Sequence, residues 1–175
     1  MHRSIRLLVV LFVFAATSAG FAQSGFFRYT GGAVKMKAAA TQTEPTTFAE
    51  GGWFGLPSAV LQATVPAGTT DLFNVSFSAE CRLLGAGAGD YVRIRIVDTV
   101  TVGGVFVSRT NLEPYDGAQA FCSADGYATH KGNWVHKAGE GRHTLVVQFG
   151  IVDAPLDDDL RAWIDDWTFE LVVHD

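Results

Sequence analysis

Cysteine is scarce in this chain, with two residues in 175, Cys81 and Cys122. Neither has further ligands at the short spacing a zinc site needs, which excludes a zinc knuckle or ribbon. Two cysteines in one domain of an oxidising compartment are most simply a disulfide with each other. Basic charge is also short, 13 Lys and Arg against 18 Asp and Glu, and it forms no basic run. Nucleic acid and anionic lipid therefore have no electrostatic handle on the chain as a whole. No convincing amphipathic helix of about ten or more residues is present. The nearest is Leu156 to Ile164, with residues 156, 160, 163 and 164 on one face. There is no Gly-x-Ser-x-Gly elbow, and both cysteines are better used on each other, so nucleophilic hydrolysis has no motif behind it.

One apolar run is present near the start, Leu7 to Ala16. Arg3 and Arg6 precede it, and Thr17-Ser18-Ala19-Gly20 follows it. Gly20 and Ala22 supply the small residues that cleavage after Ala22 requires, so residues 1–22 read as a signal peptide. A run of about ten apolar residues is too short for a membrane span, which takes about twenty. Residues 23–175 then form a single domain, secreted or periplasmic, that inserts in no membrane after cleavage. Eleven Lys and Arg face 18 acids in it, a formal charge of −7.

The pattern within that domain has a period of two. Phe73, Val75, Phe77, Ala79 and Cys81 alternate with Asn74, Ser76, Ser78, Glu80 and Arg82. Such alternation marks a half-buried antiparallel strand. Val92 to Ile96, Leu145 to Ile151 and Trp167 to Val173 repeat it, and Leu61 to Val65 does so more weakly. Val100-Thr101-Val102, Gly103-Gly104 and Val105-Phe106-Val107 read as a hairpin, because paired glycines accept the positive φ of a tight primed turn. Eight to ten short strands, with turn residues between them, imply an all-β fold: a two-sheet antiparallel sandwich, jelly-roll-like. Residues 23–55 are less regular and could supply an edge strand or a covering loop. The alternation puts Phe73, Val75, Phe77, Ile94, Leu145, Val147, Phe149, Phe169 and Leu171 in the core. It puts Arg93, Arg95, Glu80 and Glu170 on outer faces.

Phe77-Ser78-Ala79-Glu80-Cys81, Val92-Arg93-Ile94, Gly141 to Phe149 and Asp165-Asp166-Trp167-Thr168-Phe169 resemble a group of uncharacterised exported bacterial β-sandwich proteins. The resemblance runs roughly from Ala59 to Val173. It implies the fold and export, and it implies no activity.

Four groups of side chains could carry chemistry. Trp53, in Gly51-Gly52-Trp53-Phe54-Gly55, and Trp134, in Gly132-Asn133-Trp134, follow glycines and sit outside any apolar register. Such aromatics either cap an end of the sandwich or stack against the apolar face of a sugar ring. Trp163 and Trp167 are expected in the core. Asp153, Asp157, Asp158 and Asp159 form the densest acidic group, and loop carboxylates of this kind could hold a structural calcium. They lack the Asp-x-Asp-x-Asp-Gly spacing of a specific site. His130, His136 and His143 could converge on a metal, but they read more simply as separate surface residues near turns. A pair of carboxylates for glycoside cleavage is neither supported nor excluded.

The sequence therefore reads as a non-catalytic binding module for a carbohydrate or a cell-surface component, with Trp53 and Trp134 at its ligand-facing end. With no basic run, neutral glycans are the natural partner. The alternative is a self-associating structural subunit, and a small hydrolase is a third reading.

Overall fold

The long strands of the domain alternate between the interior and the outer surface, and the two inner faces close on one another. The computed structural model describes residues 33–112, 119–123, 126–153 and 159–175. The expected signal peptide, 1–22, lies outside the described residues. Ten strands follow in chain order: β1 (Val34–Gln42), β2 (Thr46–Ala49), β3 (Phe54–Val65), β4 (Asp71–Leu84), β5 (Tyr91–Val102), β6 (Val105–Asn111), β7 (Gln119–Cys122), β8 (Ala128–Ala138), β9 (Gly141–Val152) and β10 (Arg161–His174). They form two antiparallel five-stranded sheets. One has the order β1-β10-β4-β8, with β2 also on β10, and the other has β3-β9-β5-β6, with β7 also on β5. No helix occurs among the described residues. The expected sandwich is the observed fold.

The nine residues that the alternation placed in the core, Phe73 to Leu171, are all buried. Phe77 lies at their centre, with its ring centroid 5.6 Å from Phe149, 5.8 Å from Phe121, 6.1 Å from Trp167 and 6.3 Å from Phe169. Cys81 on β4 and Cys122 on β7 form the disulfide, with Cα atoms 6.1 Å apart, so it joins one sheet to the other. The hairpin forms as expected: Gly103 and Gly104 have φ of 58° and 82° between β5 and β6.

The segment before residue 55 supplies the edge strands β1 and β2, which pair in succession along β10, as one of the two readings had it. Two expectations change. The marginal helix ending at Ile164 does not form over its described part, because β10 already runs from Arg161. A bulge between Asp165 and Thr168, with Asp166 at φ 43°, reverses the parity of the strand. Ala162 and Ile164 point inward before it, and Trp167, Phe169, Leu171 and Val173 point inward after it. One extra residue on one strand does this to every side chain beyond it. Trp163, expected in the core, is consequently half-buried, edge-on to Tyr127 at 4.8 Å.

Phe149→Ala should cost about 3–5 kcal/mol in a urea unfolding titration, as a large-to-small change in a packed core. A loss below about 1 kcal/mol would be inconsistent with Phe149 at the sheet interface. The denatured, unreduced protein should show no reactive thiol, and removing the cross-link should cost up to roughly 4 kcal/mol for a loop of this length.

Candidate functional site

Trp53 and the outer face of the β3-β9-β5-β6 sheet come together over one glycine. Phe54 opens β3 opposite Phe149 and turns inward, where it stacks on Phe48 at 5.2 Å. Its neighbour Trp53 is thereby directed outward. Gly51 and Gly52, with φ of 131° and 111°, make the turn that leads into it. Across β9, Arg93 of β5 faces Gly150. A Cβ at Gly150 would lie 2.9 Å from Arg93 Nε and 3.0 Å from the Gly52 carbonyl. The missing side chain therefore lets the Gly52 loop and the arginine meet above the strand. The Trp53 ring centroid lies 4.5 Å from the Arg93 guanidinium carbon and 3.9 Å from that of Arg95. Both are cation–π contacts.

Arg95 Nε donates to Gln148 Oε1 at 2.9 Å. Arg109 of β6 stands opposite Thr99 and so shares the outer face. Burial, then the charges of Arg109 and Arg93, hold the Arg95 pKa below its ordinary value. Arg93 Nε is buried without a hydrogen-bond partner. Among the described residues no carboxylate pairs with Arg93, Arg95 or Arg109. This corrects the expectation of a surface with no basic patch. The arginines were placed on the outer face from the alternation of β5, but Arg109 comes from a neighbouring strand, and only the register joins the three.

Trp134 sits elsewhere. It lies on β8 and not on a loop, is 2 % exposed, and faces Val75 in the core. Its ring covers Gly132, where an added Cβ would overlap it. The glycine that suggested a loop is the space that lets the indole lie flat inside. Trp53 and Trp134 are thus on different sheets, and the expected pair at one end does not form. Of the four acids expected to hold calcium, Asp157 and Asp158 lie outside the described residues, Asp153 is half-buried and Asp159 is exposed. Among the described residues no three carboxylate, imidazole or thiolate groups gather as a metal site.

The histidines correct the surface reading. His143, on the inner face of β9, is 2 % exposed, and Asp98, on the inner face of β5, is fully buried. His143 Nδ1 lies 2.7 Å from Asp98 Oδ2, and its Nε2 lies 2.8 Å from the Gly139 carbonyl. Both partners are acceptors, so only the imidazolium, with a proton on each nitrogen, satisfies both. Burial lowers the His143 pKa, but the hydrogen bonds to Asp98 and Gly139 and the charges of Asp98 and Asp71 outweigh it and leave the pKa raised. His136, from the other sheet, reaches within 3.6 Å of Asp98, and its pKa is lowered, first by burial. His130 stands apart, half-buried beside Phe121 at 5.4 Å. Asp71, on the inner face of β4, binds Lys35 Nζ at 2.7 Å. Asp98 was legible as an acid in the inward register Val92, Ile94, Ile96, Asp98, Val100, a signal the sequence reading passed over. His143 faces no hydroxyl or thiol, so the pair fastens β9 to β5 and to the turn at residue 139.

A third feature is the β5–β6 hairpin. Val105, Phe106 and Val107 are 69 %, 62 % and 57 % exposed in succession, so both faces of this edge strand meet solvent.

No protein-family model and no curated protein sequence matches the chain. Solved structures match it in fold. It is similar to VP2 in a subviral particle of infectious bursal disease virus, at 11 % identity and a TM-score of 0.52, over 79 % of this chain and 32 % of that one. It is similar to the chain of T=1 particles derived from infectious bursal virus, at 12 % identity and a TM-score of 0.52, over 83 % and 34 %. The chain thus spans about a third of the length of these structures. The CBM22-1 xylan-binding domain of Paenibacillus barcinonensis Xyn10C aligns at 15 % identity and a TM-score of 0.36, over 82 % and 97 %.

The raised His143 pKa sets a pH dependence. Its stabilisation is complete below the unfolded value of 6.5 and is lost as the pH rises through the higher folded value. The stability gap between the native protein and His143→Gln should therefore be widest below about pH 6.5 and narrow as the pH rises above it in urea titrations. A gap independent of pH would show that His143 carries no proton charge in the fold. Trp134→Ala, by contrast, should cost about 3–5 kcal/mol at any pH, as a core truncation.

Proposed function

We propose that this protein is an exported, non-catalytic binding module that holds a glycan of an extracellular or cell-surface polymer on the outer face of the β3-β9-β5-β6 sheet. The observation that carries this reading is the placement of Trp53. It is turned outward by a Gly-Gly loop, braced over Arg93 and Arg95, and flanked by the hydrogen-bonded side chains of Arg95 and Gln148. At the far end of the same face Gln62 Oε1 accepts from Arg142 Nη2, so the face stays polar along its length. Amphipathic aromatics flanked by fixed hydrogen-bonding groups suit a ring that is apolar on its face and polar at its edge. The cross-sheet disulfide fits an oxidising destination, periplasm or medium, as does a leader at residues 1–22.

Self-association is a second reading, favoured by the hairpin. Three consecutive exposed apolar residues on an unpaired edge strand form a surface that a second copy could extend or cover. The VP2 chains of similar fold come from assembled particles, which is compatible with such packing. A sedimentation mass several times that of the chain, lost in Phe106→Ser, supports it.

Affinity electrophoresis through gels cast with neutral or acidic polysaccharides tests the first reading. Trp53→Ala should weaken retention about tenfold or more, for a lost aromatic contact of 1–3 kcal/mol, while the thermal midpoint stays within a few degrees. Full retention in a folded Trp53→Ala protein would place the glycan on another face.

A further inference from the structure

Resting on the glycan-binding reading above, we infer that the ligand is an acidic polysaccharide, whose carboxylate or sulfate groups are taken by Arg93, Arg95 and Arg109 beside Trp53. The charge arrangement carries this. The chain has formal charge −5, with 18 acids available, yet Arg93, Arg95 and Arg109 share one sheet face and none of them pairs with a carboxylate among the described residues. Lys35, by contrast, bridges Asp71 and Asp175, both at 2.7 Å. Arg95 Nε donates to the neutral Gln148, and no carboxylate among the described residues takes the rest of its guanidinium.

The geometry fits a polymer. Arg93 and Arg95 are two apart on β5, which sets them about 6.5–7 Å apart along the strand, and Arg109 extends the group onto β6. The guanidinium fork takes a carboxylate or a sulfate through two parallel N–H···O bonds. Anions repeating along a sugar chain can then meet successive forks while the ring faces lie against Trp53. Nucleic acid is disfavoured. Three cations set on a chain of net charge −5 release few counterions, and the chain as a whole repels a polyanion as dense as DNA. A sparser polyanion with a stacking face suits the site better.

The test uses the full chain as purified, in gels or titrations with polygalacturonate, dextran sulfate, neutral xylan, dextran and oligo(dT). Polygalacturonate or dextran sulfate should bind while xylan and dextran do not, and the preferred arm distinguishes carboxylate from sulfate. Affinity should fall about tenfold between low and moderate salt, as screening shortens the reach of the arginines. Arg95→Gln and Arg109→Gln should each weaken binding about tenfold, with thermal midpoints within a few degrees of the native protein. Should Arg95→Gln fail to fold, the exposed Arg109→Gln carries the comparison. Equal binding of xylan or dextran, unaffected by the arginine changes, overturns the acidic ligand and leaves the binding face standing. Binding of no polysaccharide overturns both. Oligo(dT) bound as tightly as polygalacturonate, or acidic binding unchanged in both arginine variants, also overturns the inference.

Discussion

Phe77 sits where the two sheets are closest to sharing one side chain. On its own sheet it pairs with Phe169 on one side and with Gly132 on the other. Across the interface it meets Phe149 and Phe121. A ring of that size needs space on one flank, and Gly132 gives it by carrying no side chain. Trp134 then lies over the same glycine and completes the layer. The spacing set here fixes which residues further along each strand are inside, because register on a two-faced sheet admits no one-residue error. The disulfide from β4 to β7 locks a second point of the same interface.

That closure explains which parts of the fold could be read from the residues. Strands with unbroken alternation, β4 and β9 above all, were legible with their inner and outer faces. β10 was legible only after its bulge, since one extra residue at Asp165–Asp166 moves Ile164 and Trp167 into the same interior. Trp134 was misread for a related reason. Gly132 looked like a turn, yet in an inward position of β8 a glycine is a socket for the next inward side chain. His143 and Asp98 were each too polar to be counted as core, and alone each would be wrong there. Their mutual hydrogen bond and the Gly139 carbonyl make the pair tolerable inside.

The outer face was half legible. The alternation of β5 put Arg93 and Arg95 on one surface, and the glycines put Trp53 outside the apolar pattern. What brings them together is the register of β9, which places Gly150 beside Arg93 and beneath the Gly52 loop. No local pattern contains that coincidence, because it joins three segments separated by some forty to sixty residues. Arg109 arrives by a further register, that of β6 on β5, shifted by the bulge near Val100.

The two ends of this chemistry obey opposite rules, and the contrast bears on what each is for. Inside, Asp98 meets His143, and Asp71 near the same end meets Lys35. An unmatched charge there would cost several kcal/mol, so pairing is a condition of folding. Outside, water screens the arginines, and folding imposes no such condition. Elsewhere on the outer faces single charges meet neutral partners, as where Ser76 donates to Glu170 and Arg142 donates to Gln62. Arg93 and Arg95 against Trp53, with Arg109 on the neighbouring strand, are like charges that disfavour one another. Folding gains nothing from that repulsion. A bound anion of the kind proposed would remove it, whereas the paired charges inside need no ligand to account for them.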